Sequence, residues 1–239
     1  MKYSVIIPTL NEVRLLPNLL EPLSTESLKD KFEYEIILAD GGSTDGTLEI
    51  ARHCADEILV AEEKENIAAG RNRGAKVAKG EVLVFLNADV TLDVKAFFEY
   101  LESNFFNRDY LGMTCAVKID PREETFADKI FLGFYNLYFH FLNIIGVGMG
   151  RGECLVVRKE VFEKLGGFNE NLAAGEDFDL FRRVRKKGKI LFARSVTVFE
   201  SPRRFRKFGH VKIFLTWTLN GLFVILKNKS LSKKWEEVR

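Results

Sequence analysis

The chain has 239 residues, 46% hydrophobic and 29% charged, which excludes a disordered segment and suits one sizeable α/β domain or two small ones. The net charge of +2 names no partner, but it is unevenly spread. Residues 201–239 carry ten basic side chains against Glu236 and Glu237, a local +8, which leaves −6 on residues 1–200. Cys54, Cys115 and Cys154 are odd in number, far apart and unaccompanied by CxxC or His spacing, so a disulfide framework or zinc site is not expected and a reducing compartment suits the chain.

In chain order, "MKYSVIIPTLNE" opens with a strand at residues 3–8 and lacks the apolar core and cleavage site of a signal peptide. Leu15, Leu16, Leu19 and Leu20 then recur at helical spacing. "YEIILA" (34–39) predicts a second strand, residues 47–54 a helix, and "EILVA" (57–61) a third strand. "NIAAGRNRGAKVAKG" (66–80) predicts a helix stopped by glycine, and "EVLVFLN" a fourth strand. Continuous apolar runs separated by helices indicate a parallel sheet buried on both faces. Right-handed crossovers place the C-terminal ends of such strands on one edge, where ligands bind.

That edge collects polar groups. The first strand ends at Pro8-Thr9 with Asn11 and Glu12 next, the second at Asp40, and the fourth at Asn87-Ala88-Asp89. A lone strand-end carboxylate is usually a cap or turn residue. Here Ser43 and Asp45 stand ready to cap the helix at Thr47, which leaves Asp40 without a structural task. Three coincident polar strand ends therefore indicate a ligand site.

Further on, residues 111–119 and the start of 153–168 predict strands, the latter followed by a short helix ending on Gly166-Gly167. Residues 175–190 predict a helix with three acids at its start and bases after them, as the helix dipole favours. One acid would satisfy the dipole. Glu176, Asp177 and Asp179 together suggest chemistry, with Asp177 as base, Glu176 positioning an acceptor and Asp179 only capping.

Four stretches, "VIIPTLNE", "LADGGSTDGT", "AAGRNRGAKVAKGEVLVFLNADV" and "GGFNENLAAGEDFDLFRRVRKKG", resemble the family-2 glycosyltransferases of GT-A fold over roughly residues 3–205. The resemblance implies an inverting enzyme with a UDP- or GDP-linked sugar donor and a divalent cation, Mg²⁺ or Mn²⁺, on the diphosphate. Pro8, Thr9, Asn11 and Glu12 would line the nucleotide site, and Asp40 would accept from the base. Arg71 would lie near base and phosphates, Asp89 would ligate the metal and Asp177 would be the catalytic base. The family's Asp-x-Asp reads Asn87-Ala88-Asp89 here; Asn87 and Ala88 are assigned to the sugar nucleotide, with Asn87 as an uncharged, weaker metal ligand or as a turn residue the open alternatives. Where some relatives carry a metal-binding His, this chain has Glu200 nearby.

Residues 130–150 carry no charge. A single span there would put Asp89 and Asp177 on opposite sides of a membrane, so a transmembrane reading is rejected. Gly133, Asn136, His140 and Asn143 form one narrow polar stripe, and the rest is apolar. Either this is a core helix under the acceptor half, or it lies in a membrane interface or a dimer. His140 reads as a hydrogen-bonded structural histidine. Residues 213–226 are a second uncharged run, bracketed by Lys212 and Lys227 and preceded by "SPRRFRKFGH". Basic flanks around an apolar aromatic helix suit anionic headgroups, and Arg203 and Arg204 have the rival task of folding over a diphosphate.

The expectation is thus a single three-layer α/β/α GT-A domain over 1–200, with a nucleotide-sugar half (1–95) and an acceptor half (96–200). A basic amphipathic extension, 201–239, follows. The enzyme would work at the cytoplasmic membrane face on a lipid-linked or glycan acceptor, with no nucleic-acid partner and a homodimer as an open alternative. The absence of glutamine leans towards a thermophilic source. Two rivals stand beside this reading. A nucleotidyltransferase would want a glycine-rich loop with a Lys or Arg where "PTLNEVR" stands. A sugar-nucleotide sensor without turnover has only Asn87 in its favour.

Overall fold

The computed structural model describes residues 1–63, 65–227, 229–232 and 238. Of the basic tail, Lys233, Lys234, Glu236, Glu237 and Arg239 lie outside the described residues. Strand β1 (Tyr3–Thr9) leads to helices α1 (Leu16–Leu23) and α2 (Glu26–Phe32), and β2 (Tyr34–Asp40) to the short α3 (Thr47–Ala51). Next come β3 (Glu57–Val60), α4 (Ile67–Val77), β4 (Val82–Leu86), the two-residue β5 (Val90–Thr91) and α5 (Val94–Leu101), which continues into a π-helical turn. The second half holds β6 (Tyr110–Ile119), α6 (Phe126–Ile144), β7 (Cys154–Arg158), α7 (Lys159–Lys164), α8 (Glu176–Arg185), β8 (Lys189–Glu200), α9 (Arg203–Phe208) and α10 (His210–Lys227).

The strands form one sheet in the order β3-β2-β1-β4-β7-β6-β8-β5. The first four are parallel, β7 runs antiparallel between β4 and β6, and β8 is parallel to β6. Alternate residues of each central strand enter opposite cores. Tyr3, Val5 and Ile7 of β1 join Val82, Val84 and Leu86 of β4 beneath α1 and α5. Ile6, Leu83 and Phe85 face the other way, onto α4, α7 and α8. This is why the strands read as unbroken apolar runs, and it builds the expected α/β/α layers. Strand β3 departs from that pattern, because it lies at the sheet edge with its ends exposed.

Because β7 is antiparallel, its start lies on the same edge as the ends of β1, β2 and β4. The end of β8 arrives there too, parallel to β6. Pairing of Val90 with Glu200 brings the end of β8 against the segment after Asp89.

Helix α6 does not bury its apolar face in the core, and of its expected polar stripe Gly133 is exposed. The asparagines of the stripe face the body: Asn136 bonds both backbone groups of Val117, at 3.0 and 2.9 Å, and Asn143 bonds both of Met149, at 2.7 and 2.9 Å. His140 packs against Phe192 with tilted rings 5.2 Å apart, and its buried Nδ1 finds no hydrogen-bond partner among the described residues, so the expected hydrogen-bonded role is not met at that atom. The wide apolar face, with Phe134, Leu137 and Phe141, is exposed.

Candidate active site

The ends of β1 and β2 are sewn together. The Asn11 N–H donates to Ser43 Oγ (2.7 Å), and Asn11 Oδ1 accepts from the Thr44 N–H (2.8 Å). The Glu12 N–H donates to Thr47 Oγ1 (2.8 Å). Asn11 is left-handed at φ 55°, a conformation that asparagine tolerates. Asp45 caps the following helix by accepting from Thr47.

Asp40 departs from the sequence reading. It is fully buried and organises this loop. One oxygen accepts from the Gly42 and Ser43 N–H groups (2.9 and 2.7 Å), the other from the Thr9 and Ser43 hydroxyls (2.9 and 2.6 Å). Its structural task is therefore heavy, and Ser43 binds Asp40 instead of capping α3. A nucleobase N–H would have to displace one of these donors. Ala88 packs its side chain in the core, so only its backbone can face a ligand. Pro8 is partly exposed on the rim beside α4, and Thr9 is buried under it.

The other half of the edge is organised by Arg71, which is 1% exposed. Its guanidinium donates to Glu176 Oε1 (2.7 Å), Asn87 Oδ1 (2.8 Å) and the Gly152 carbonyl (2.9 Å). It also lies 5.2 Å over the Phe168 ring. One side chain thus joins the end of β4, the loop before β7 and the start of α8. Asn87 faces Arg71, and Glu176 positions Arg71, where the sequence reading gave it an acceptor. Asp179 is likewise more than a cap, being buried and paired with Arg183 at 2.8 Å.

Asp177 stands beside this junction. It accepts from the Gly152 N–H (2.8 Å) and the Phe178 N–H (2.7 Å). Its surroundings push its pKa up to about 7, chiefly through burial and then the charge of Glu176, with Arg71 pulling the other way. A side chain at Gly152 has no room, because a Cβ there would lie 2.8 Å from an Arg71 nitrogen.

Asp89 sits in a second cluster with Glu153 and Glu200. Arg203 donates to both oxygens of Glu12 (2.9 and 2.7 Å) and to Asp89 Oδ2 (3.1 Å). Arg151, 4% exposed, donates to Glu153 (3.1 Å twice) and Glu200 (2.8 Å), with Trp217 at 5.2 Å over its guanidinium. Burial raises Asp89 above the usual carboxylate range, against the pull of Arg203. Burial and the neighbouring Glu153 and Asp89 push Glu200 up to about 8, against Arg151. For Glu153 burial works upward too, but Arg151 wins and holds it low. Arg151, Arg203 and Arg204 all act on the cluster, yet burial still wins at Asp89 and Glu200. Among the described residues, no three His, Cys, Asp or Glu side chains form a ready-made ion cage.

Arg151, Gly152 and Glu153 were not singled out from sequence. The signal was the charged, glycine-flanked "GRGE" immediately before an apolar strand, and it reads as a site only once β7 is known to run antiparallel.

The model for "Glycosyl transferase family 2" matches residues 4–166. Glycosyltransferase AglE of Haloferax volcanii is 29% identical over 212 residues, 84% of this chain and 67% of AglE. Among solved structures, the mannosyltransferase PcManGT from Pyrobaculum calidifontis, in complex with GDP-Man and Mn²⁺, superposes with a TM-score of 0.67. It shares 22% identity over 90% of this chain and 63% of that one. TarS of S. aureus in complex with UDP-GlcNAc gives 0.59 and 19% over 80% and 56%. At these identities the structural likeness is one of fold, and the chain spans about two thirds of these proteins or less.

Proposed function

The chain belongs to glycosyl transferase family 2, and from that premise we propose a metal-assisted inverting sugar transfer from a UDP- or GDP-linked donor to a lipid-linked or glycan acceptor at the cytoplasmic face of a membrane. Membership makes it an enzyme of the glycosyltransferase type, with the GT-A fold. The donor, the ion and the acceptor are our reading.

The observation that carries it is the bridge at Gly152. Its N–H holds Asp177, and its carbonyl holds Arg71, which in turn holds Asn87 two residues before Asp89. The two carboxylates that a sugar transfer needs are thereby fixed on one edge by rigid elements.

The donor set fits a divalent cation. Asp89 and Glu200 are raised by burial and by acid neighbours even with Arg203 and Arg151 pulling against them, so a divalent cation would find carboxylates that the two guanidinium groups have not fully compensated. Asp89 would hold it, with Glu200 and Glu153 beside it, and the ion would offset the charge of the departing diphosphate.

Asp177 is tuned for a base near neutral pH. It would take the proton of an acceptor hydroxyl as that oxygen bonds to the anomeric carbon and the bond from that carbon to the diphosphate oxygen breaks. A single displacement inverts the centre. The proton ends on Asp177 and the electron pair on the diphosphate. For an acceptor that is already an anionic phosphate, Asp177 is less needed.

The test is thermal stability against UDP, GDP, CDP, dTDP and ADP with and without Mn²⁺, followed by sugar transfer with the nucleotide sugar of the base that binds. A metal-dependent shift abolished by Asp89→Ala supports the reading. No shift with any nucleoside diphosphate overturns it.

A further inference from the structure

We propose that the joined outer faces of α6 and α10 are a docking surface for an anionic lipid bilayer, on which the chain lies without crossing.

The first argument is the orientation of α6. A surface helix ordinarily turns its apolar stripe inward. Here Asn136 and Asn143 are turned inward and satisfied by the backbone of the body. Ile130, Phe134, Leu137, Phe141 and Ile144, spaced by four, three, four and three, are each more than half exposed. The polar anchors fix the helix with its apolar face out.

Helix α10 extends that face. Val211, Leu215, Leu219, Leu222 and Leu226 are all exposed on it. The helices meet through aromatic rings, Tyr135 against Phe214 and Trp217 and Phe131 against Trp217, and Phe134 packs on the same Tyr135 from within α6, so Phe134 and Phe214 of the two outer faces flank one ring. Asp128, fully buried at the start of α6, accepts from Arg206 (3.0 and 2.6 Å) and lies 2.8 Å from His210 Nε2. This ties the helices into one platform. An apolar surface of this extent marks an interaction site.

Charge selects the occupant. Residues 201–232 contain seven Lys and Arg and no acid; Arg203 and Arg206 are turned onto Glu12, Asp89 and Asp128, while Lys207, Lys212, Lys227 and Lys229 are exposed. Lys207 and Lys212 lie over the Phe208 ring (5.2 and 4.6 Å), and Lys227 over Phe223 (4.9 Å), cations at the margin of an aromatic surface. Each such cation near an anionic membrane is worth roughly fivefold in binding. A second copy docked through the same face about a twofold axis would set this basic margin against itself. Asp120, Glu123 and Glu124 gather before α6 and disfavour contact there, with Asp120 paired to Arg122. No helix among the described residues is long and apolar enough to cross a membrane, which suits an interfacial position.

The platform also backs onto the site. Val224 of α10 packs with Leu172 and Phe178 and lies against Gly175, two residues before Asp177. Trp217 of α10 covers Arg151. A lipid-borne acceptor would arrive beside the proposed base, a point that rests on the proposed transferase reading. The docking itself does not.

The experiment is co-sedimentation of the full chain with phosphatidylcholine vesicles, with and without phosphatidylglycerol as about a third of the lipid. It uses no nucleotide and no turnover, so its failure leaves the transferase reading standing. Capture by anionic vesicles, at least tenfold weaker without phosphatidylglycerol, is expected. Leu137→Glu/Phe141→Glu should lose at least tenfold on anionic vesicles with an unchanged melting temperature, since both side chains already face solvent. Lys212→Glu/Lys227→Glu should lose a similar factor. Folded wild-type chain left in the supernatant overturns the proposal. So does an apolar variant that binds as well as wild type. Light scattering that shows a dimer dispersed by Leu137→Glu/Phe141→Glu, without vesicle capture, assigns the face to a second copy and overturns it too.

Discussion

Arg203 grips Glu12 with two hydrogen bonds, at 2.9 and 2.7 Å, and reaches Asp89 at 3.1 Å with the same guanidinium. The segment after β8 is thereby closed across the strand edge that carries Glu12 and Asp89. An incoming diphosphate with its cation would compete for Asp89 and offer Arg203 phosphate oxygens instead, a bidentate partner of equal quality. Arg203→Ala is therefore expected to weaken nucleoside-diphosphate binding in Mn²⁺ about tenfold, or ~1.4 kcal/mol, while hardly changing binding of the nucleoside alone. Titration calorimetry with both ligands checks this. Tighter diphosphate binding in the variant would make Arg203 a plug rather than a phosphate ligand.

Asn87 offers its carbonyl oxygen to Arg71 and so faces away from the role that its place in an Asp-x-Asp-like motif suggests. If Asp89 alone anchors the ion, Asn87→Asp should change Mn²⁺ affinity less than about threefold, whereas Asp89→Ala should abolish metal-dependent nucleotide binding. Electron paramagnetic resonance of free Mn²⁺ measures both. A tenfold gain in the Asn87→Asp variant would show that position 87 does reach the ion.

Arg71 is the more fragile point. It is buried, and three different segments depend on its three bonds. Arg71→Ala leaves Glu176 without its buried partner, a loss of about 3–5 kcal/mol. Arg71→Lys keeps the charge but cannot fork to three acceptors. Both should lower the melting temperature, Ala more, and both should cost activity. Gly152→Ala should mimic Arg71→Lys, because its methyl group would press on the same guanidinium.

The donor edge was legible because its signals are local. Apolar runs ending at Thr9, Asp40 and Asn87 declare parallel strands, and parallel strands end together. Asp40 misled because Ser43, read as a cap for the next helix, instead gives it two of its four donors, and nothing local in "LADGGSTDGT" says that Thr9 of β1 will lie 2.9 Å away. The Arg151–Glu153 segment was hidden because strand direction is a tertiary property: the same residues before a parallel strand would lie at the opposite edge. The helix α2 and the π-turn after α5 went unread because their sequences lack a clean apolar period. In α6 the polar stripe was visible, but which face turned inward depended on where the Val117 and Met149 backbones would sit.

The surroundings of Asp177 make its ionisation a pH switch for rate. Burial and Glu176 raise its pKa to about 7, and only the ionised form can accept a proton. For a hydroxyl acceptor, kcat/KM should therefore rise with pH through about 7 and level off above it. Asp177→Asn should lose at least a hundredfold with no such limb in what remains. An unshifted profile in the variant would remove Asp177 from the base role. A flat profile in the wild type would fit an acceptor that arrives already anionic.

Asp128 holds the platform by charge, and pH tests it independently of turnover. Burial alone would raise its pKa, but bonds from Arg206, Thr125 and His210 outweigh that and hold it well below its ordinary value of 3.8. A depressed carboxylate contributes stability above its unfolded pKa and loses it as pH falls through the folded one. Breaking a buried pair costs about 3–5 kcal/mol, which the partial exposure of Arg206 reduces to about 2–3 for Asp128→Asn at pH 7. In a chain of this size that is roughly 5–10 °C in melting temperature. The gap between variant and wild type should persist at pH 5 and narrow as the pH drops below 3.8, where the unfolded chain takes up a proton that the folded carboxylate still resists. Melting curves across that range decide it. Limited proteolysis should cut near Arg203–Phe208 sooner in the variant, since α9 and α10 are fastened to α6 by this carboxylate. A gap that stayed constant into acid would mean that Asp128 holds the helices through hydrogen-bond geometry, without its charge.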